Sequence, residues 1–304
     1  MMTVDQIYLD KTITIGIPAH GNSKITKVCL DFLLKSTKGD FELILVDDCS
    51  QDNGATKDLF LSIKQFHKNL KIYSFDKNKS QFGSMNCIFC TATGNKIIFL
   101  SNDIFVTSHY LGTLIKVSEI DKSFGIVRGV SNFVDNGKER YNIKESWDNI
   151  KKMSDIFSYS KKICKKNNKF FEEDYLTGDA FLVKKDVINK IGYIDDIFFG
   201  FWADHDFSIR AKRAGFKLIV AQGAFAWHQQ EANFSYLDKQ TLEKKRKERF
   251  KLVNMNWQKF KKKYNLSKDL IYNNINSVPW NKLNKIEFKK SDFINSQNFS
   301  KFLL

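Results

Sequence analysis

The sequence predicts an α/β fold built on a mostly parallel, Rossmann-like sheet flanked by helices, with a helical C-terminal extension. Three observations carry that expectation. Short aliphatic and β-branched runs alternate with segments of helical spacing over residues 11–106, the pattern of strands joined by right-handed helical crossovers. The chain has 304 residues, 42% hydrophobic content and 28 Phe, enough to bury a sizeable core. Polar and acidic residues collect directly after the runs, and in such sheets ligands bind outside the carboxyl ends of the strands.

Taken in order, Thr12–Pro18 reads as a buried strand followed by the polar loop Ala19-His20-Gly21-Asn22. Ser23 is placed to cap a helix through Ser36, whose apolar face carries Ile25, Val28, Cys29, Phe32 and Leu33. Phe41–Val46 is a second strand, ending on Asp47-Asp48. Asp58–His67 has helical spacing, and Lys71–Phe75 is a third strand. Ser80–Gly94 is a helix with Phe82, Met85, Phe89 and Ala92 at i, i+3, i+7 and i+10. Ile97–Leu100 is a fourth strand, ending on Ser101-Asn102-Asp103. One Asp at a strand end is ordinary turn chemistry; acidic ends on two strands of one sheet point to a site.

Residues 107–236 form the second half of the predicted domain. His109–Val117 is expected to be helical and Gly125–Val130 a strand. Ser131–Lys138 reads as a polar loop, and about 143–173 as a Lys-rich helical insertion on the spacing of Trp147, Ile150, Met153, Phe157 and Ile163. Tyr175–Lys184 returns to sheet character, with Gly178 allowing close backbone approach. Ile191–Gly215 then passes from a turn through an aromatic cluster, Phe198 to Trp202, into a helix that opens on Asp204, His205 and Asp206. Asp206 is read first as an i, i+4 partner of Arg210 and second as an acceptor-side carboxylate. Phe216–Val220 and Ala224–His228 are further strands. Residues 237–304 form the extension, opened by a basic helix at 239–264.

The formal net charge is 49 − 34 = +15, and residues 239–263 alone hold 11 Lys or Arg against 2 Glu. That helix carries Phe250, Val253 and Trp257 at i, i+3, i+7, so it either docks on the domain or lies on an anionic membrane. A basic excess confined to one helix argues against a nucleic-acid-binding protein, which spreads Lys and Arg among aromatics over a face. Five cysteines without framework spacing, and no signal peptide, fit a cytoplasmic protein, peripheral at the inner face of the membrane if the helix binds there. Cys87-x-x-Cys90 lacks a second Cys/His pair and is expected to pack inside a helix rather than bind zinc.

There is no G-x-x-x-x-G-K-[ST] and no G-x-G-x-x-G, so a nucleotide would have to be held by carboxylates and a hard divalent cation. The missing phosphate loop also argues against a nucleotidyltransferase of related fold. The pieces TITIGIPAHGN, LILVDDCS, NKSQFGSMN, IIFLSNDIFV, YLTGDAFLVKKDVINKIGYID, FFGFWADHDFSIRAKRAGFKLIVA and FAWH occur in the order found in family 2 glycosyltransferases. Over roughly residues 11–235 the chain resembles that family, whose fold is of GT-A type. The resemblance implies an inverting transfer of a sugar from a nucleoside-diphosphate sugar, a UDP-sugar first among them, to a glycan, lipid-linked or protein acceptor in surface polysaccharide or glycoconjugate synthesis. It places Pro18, Ala19, His20, Asp48, Ser80, Asn102 and Asp103 around the donor, and Asp103 and His228 on Mn²⁺ or Mg²⁺. It makes Asp204 the general base, with Gly178, Trp202 and Asp206 on the acceptor side and Trp202 as the sugar platform. Three positions depart from the pattern: Ser101 replaces the first acidic residue of D-x-D, Ala203 replaces the Glu before Asp204, and Ser80 replaces a Gly. A catalytically impaired protein of the same fold is the alternative that these departures suggest.

Overall fold

Four strands set the frame: β2 (Ile13–Ala19), β4 (Glu42–Asp47), β5 (Leu70–Ser74) and β6 (Lys96–Leu100), which lie in the order β5-β4-β2-β6 and run parallel. Every residue of β2 and of β4 is buried, as the continuous apolar runs require of strands covered on both faces. The crossovers are α1 (Ser23–Ser36), α2 (Ala55–Ser62) and α3 (Ser80–Thr91). The computed structural model describes residues 5–133, 152–166, 169–229, 238–271 and 278–304. Two-residue strands β1 (Ile7–Tyr8) and β3 (Thr37–Lys38) pair separately.

Beyond β6 the sheet is mixed rather than parallel. Its remaining elements are β7 (Ile104–Phe105), α4 (Ser108–Ser118), β8 (Phe124–Ser131), α5 (Met153–Lys166), β9 (Phe170–Glu173), β10 (Ala180–Lys184), α6 (Lys185–Ile191), α7 (Ala203–Arg213) and β11 (Lys217–His228). The order continues β6-β10-β8-β11-β7, with β9 paired to β11. Strand β10 is antiparallel to both neighbours, Ala180 facing Leu100 and Val183 facing Ile126. This reversal brings the start of β10 to the edge where β6 ends. Strands β8 and β11 run parallel to each other, so Ser131 and His228 finish at that same edge. Short β7 runs back along β11 with Ile104 opposite His228.

Some local expectations change. Asn22, not Ser23, is the N-cap of α1, in a left-handed conformation and without a side-chain cap bond. Residues 170–173 are strand β9 rather than the end of a helical insertion, because they complete the edge of β11. Residues 143–151 of that insertion, Trp147 and Ile150 among them, and most of the loop expected at 131–138 lie outside the described residues. His67, which ends the helical segment predicted from Asp58, is buried and its Nε2 donates to the Phe41 carbonyl at 2.7 Å. Cys87 and Cys90 do lie within α3.

The basic helix is α8 (Lys239–Lys263), followed by α9 (Trp280–Asn284). Its docking face is Trp257, Phe260 and Tyr264, again at i, i+3, i+7, whereas Phe250 is 55% exposed and residues 243–251 are exposed throughout. The Trp257 ring lies 4.5 Å from that of Trp202, and Phe260 lies 5.1 Å from it. Buried Asn256 accepts from Phe199 N and donates to Phe199 O, satisfying a bent segment just before α7. Trp257, Phe260, Trp280, Phe299 and Phe302 share one apolar cluster with Met85, Phe99 and Phe207 of the sheet domain.

A Trp truncated in such a core leaves a cavity. Trp257→Ala should lower the free energy of unfolding by about 3–5 kcal/mol, while Ala at exposed Gln258 should change it by no more than about 0.5 kcal/mol. Denaturant titration followed by circular dichroism checks both.

Candidate active site

Three groups of residues meet at the carboxyl edge of the sheet. The first lies between β2 and β4. Ala19, at the end of β2, accepts from Asp48 N, and His20 Nδ1 donates to the Asp48 carbonyl at 2.6 Å. Asp48 is 3% exposed, and its Oδ1 accepts from Lys79 N at 2.6 Å. Burial pushes the Asp48 carboxyl up to about 6, outweighing the Lys79 N–H and the nearby His20. Ser80 has φ +66°, so it occupies the left-handed conformation that suits the glycine found at this point of the family pattern. Pro18, Ala19, His20, Asp48 and Ser80 are thus brought together. Asn102 is not: its amide donates inward to Thr26 Oγ1 at 2.8 Å and pins the strand end to α1.

The second group surrounds Asp103 and His228. His228 Nε2 is 3.6 Å from Asp103 and its Nδ1 is 3.8 Å from Asp179. Asn132 clamps the His228 backbone, donating to its carbonyl at 2.9 Å and accepting from its N–H at 2.6 Å. Burial alone would depress the imidazole, but Asp103 and Asp179 more than offset it and carry His228 up to about 9. Arg128, buried in β8, closes the chain with a 3.1 Å contact to Asp179. Arg128 and Asn132 do not stand out in the sequence; for Asp179 the one signal is its place beside Gly178.

Among the described residues no three His, Cys, Asp or Glu side chains converge on a point that could hold a metal ion. Asp103 and His228 form a two-donor set, which suits an ion of the Mg²⁺ or Mn²⁺ kind that keeps substrate oxygens and waters as its other ligands. As a ligand the imidazole must be neutral, so such an ion has to displace the proton that the two carboxylates hold on His228.

The third group is Asp204 with its supports. Gly178 N–H donates to Asp204 Oδ2 at 3.0 Å, and a Cβ on Gly178 would sit 3.1 Å from the Asp204 Cβ. Gly178 therefore contacts the carboxylate itself. His205 Nδ1 donates to Asp204 Oδ1 at 2.8 Å, with its ring held among Tyr175, Trp202 and Trp280. Burial raises the Asp204 carboxyl, but the His205 charge and hydrogen bond and two backbone N–H groups bring it below its ordinary value. A small pocket beside it is lined by Met85, Leu176, Thr177, Gly178 and Phe207.

The second and third groups are joined covalently and by hydrogen bonds. Ser101 N donates to the Asp179 carbonyl at 2.8 Å. Gln81, also without a signal in the sequence, donates to the Gly178 carbonyl at 2.7 Å and to Ser101 Oγ at 3.3 Å. Asp179, Gly178 and the Asp204 carboxylate follow one another across the site.

Two expected acceptor-side residues lie elsewhere. Trp202 is 6% exposed, with its ring against Trp257, Phe260 and His205, and a platform for a sugar needs an open face. It adopts φ +73° at the start of α7, a strained value for a Trp. Asp206 is fully buried, bonded to Arg210 Nε at 2.8 Å and to the Tyr264 hydroxyl at 2.7 Å, with Lys263 Nζ at 2.5 Å. Arg210 also donates to the carbonyls of Ile191 and Tyr193. Burial opposes ionisation of Asp206, yet Arg210 and Lys263 hold its carboxyl below the usual range. Its first reading, as the partner of Arg210, is the one the geometry matches.

Among solved structures, Staphylococcus aureus TarS residues 1–349 in complex with UDP superposes with a TM-score of 0.53 at 16% identity, over 73% of this chain and 62% of that one. GalNAc-T7 with UDP, GalNAc and Mn²⁺ gives 0.55 at 14% identity, over 71% of this chain and 42% of that one. A mannosyltransferase from Pyrobaculum calidifontis in complex with GDP-Man and Mn²⁺ gives 0.51 at 15% identity, over 71% and 56%. These likenesses establish the GT-A fold. An uncharacterized glycosyltransferase of Nostoc sp. is 22% identical over 192 residues, 63% of this chain, which spans 56% of that protein. The model of the family described as glycosyl transferase family 2 matches residues 14–192, more than half of the 304. That span runs from β2 through the Asp48, Asp103 and Asp179 strand ends, and on this ground the chain belongs to glycosyl transferase family 2.

Proposed function

We propose that the protein is an inverting glycosyltransferase that moves a sugar from a nucleoside-diphosphate sugar to a hydroxyl acceptor by single displacement. The observation that carries this reading is the Asp204 carboxylate, kept ionised at the start of α7 and joined through Gly178 and Asp179 to the Asp103–His228 pair. In the reaction the acceptor O–H gives its proton to Asp204 while its oxygen bonds to the anomeric carbon. The bond from that carbon to the diphosphate breaks on the opposite face, and the electron pair leaves with the nucleoside diphosphate. A divalent cation on Asp103 and His228 would offset the charge on the leaving diphosphate. Asp48 would accept from the nucleobase edge, with Ala19, His20 and Ser80 beside it. His205 and Gly178 hold the base in one orientation.

A UDP-sugar is the first donor to test, since TarS and GalNAc-T7 were solved with UDP; a GDP-sugar is the second, after the Pyrobaculum complex. The proposed acceptor is a glycan, lipid-linked or protein acceptor, in surface polysaccharide or glycoconjugate synthesis. No helix among the described residues is long and apolar enough to cross a membrane. Contact of the exposed basic stretch 243–251 with an anionic membrane from the cytoplasmic side belongs to the proposal, on charge alone.

A panel of nucleotide sugars with Mn²⁺ or Mg²⁺, assayed for release of the nucleoside diphosphate, tests the reading. Asp204→Asn should lower kcat by about 100-fold or more, the usual worth of a general base, with nucleotide affinity unchanged. Full turnover by that variant would remove Asp204 from the mechanism. Asp103→Ala should weaken the Mn²⁺ requirement and the donor affinity together.

Asp48 provides a test of opposite sign on stability. Its folded pKa, about 6, lies above the ordinary value of 3.8, so the folded state binds the proton more tightly. The stabilisation from that proton is complete below 3.8 and is lost as pH rises through about 6. Asp48→Asn, which keeps an oxygen for Lys79 N, should therefore be the more stable protein at pH 7–8, by on the order of 2 kcal/mol. The advantage should shrink toward pH 4, and nucleotide binding should weaken. Equal pH dependence of the two melting curves would show that the buried charge carries no cost.

A further inference from the structure

The C-terminal segment reaches the donor edge of the sheet. Leu303 bridges Tyr73 antiparallel and Leu304 N donates to the Ile72 carbonyl at 2.9 Å, so the exposed side of β5 gains a partner. Phe299 and Phe302 are 3% and 7% exposed, with their rings 5.9 and 5.0 Å from Phe75, the residue that follows β5. Half-buried Lys79 places its Nζ 5.4 Å from the Phe302 ring and 5.6 Å from that of Phe75. Lys301 lies over the Phe302 ring at 4.7 Å. The Lys79 backbone N–H is the one bonded to Asp48 Oδ1, and the next residue is Ser80 at φ +66°. A non-glycine residue held at that φ relaxes unless its surroundings keep it there.

We infer that Phe302 is a positioning residue for the donor: by receiving the Lys79 ammonium on its ring, the C-terminal segment fixes the 78–80 loop and, through the Lys79 N–H, the Asp48 carboxylate that meets the nucleobase. The inference rests on the donor-site reading above and deepens it. The role of the segment is local to nucleotide affinity. Asp204 and the His205 that holds it belong to the first turn of α7, a separate part of the site.

The experiment is calorimetric titration of UDP and of GDP, each with Mn²⁺, into the full chain. Phe302→Leu keeps an apolar side chain and removes the aromatic face that meets Lys79, Lys301 and Phe75, so the variant should fold. A cation–ring contact at a half-exposed position is expected to make about a three-fold difference in nucleotide Kd. Phe302→Tyr, which keeps the ring, should bind as the parent does. In a Lys79→Met background, Phe302→Leu should add no further loss, because the contact is already gone. Parental affinity in Phe302→Leu, or an undiminished loss in the Lys79→Met background, would overturn the inference. Should the parent protein bind neither nucleotide, the donor-site reading itself fails, and the inference falls with it.

Discussion

The carboxylate of Asp206 is the constraint on which the placement of α7 depends. It is fully buried and meets Arg210 from its own helix, and Lys263 and the Tyr264 hydroxyl from the extension. A lone charge there would be prohibitive, and removing one partner from such a cluster costs about 3–5 kcal/mol. Helix α7 and the end of α8 are therefore bound to hold their relative positions. Arg210 extends the constraint to the carbonyls of Ile191 and Tyr193, fixing the turn that leads toward α7. With α7 immobile, Asp204 in its first turn has one place to go. The aromatic layer of Trp202, Trp257, Phe260 and Trp280 supplies the dry surroundings that this polar cluster requires.

The other half of the site follows from strand direction. Parallel strands β2, β4 and β6 deliver Ala19, Asp47-Asp48 and Ser101–Asp103 to one edge. Because β10 runs the other way, its first residues arrive where the parallel strands finish. Asp179 and Gly178 then stand between Asp103 and Asp204. The N–H of Ser101 on the Asp179 carbonyl and the Gln81 amide on the Gly178 carbonyl fix that juxtaposition. Charge is balanced locally, as alternating Asp103, His228, Asp179 and Arg128 place a cation beside each carboxylate. The absence of an acid at Ser101 leaves His228 and Asp103 as the facing pair.

Much of the parallel part of the sheet, β2 to β6, was legible because its signals are local. Alternating apolar runs specify buried parallel strands, and acidic residues just after them mark their carboxyl ends, as Asp48 and Asp103 do. The i, i+4 spacing of Asp206 and Arg210 was also sufficient for their pairing. The reversal of β10 was not legible, since Ala180–Lys184 is apolar on both faces whichever way it runs. Trp202 misled for a related reason. An aromatic residue shortly before a helix-start carboxylate has the same sequence whether it faces solvent or a second helix, and the residues that bury it, Trp257 and Phe260, lie more than 50 positions later. Likewise, the choice between Phe250 and Phe260 as the docking face of α8 depends on partners elsewhere in the chain. Arg128 and Asn132 present no local pattern because their meaning lies entirely in contacts with Asp179 and His228.

In the proposed mechanism one carboxylate, Asp204, acts from the side opposite the leaving diphosphate, and this has a stereochemical consequence. Proton NMR of the first sugar formed on turnover of an α-linked nucleotide sugar, recorded before mutarotation or on the glycosylated acceptor, reads it directly. Single displacement predicts the β configuration at the anomeric carbon. An α product would mean that a second displacement or front-face attack takes place, and would contradict the role of Asp204 as the sole base.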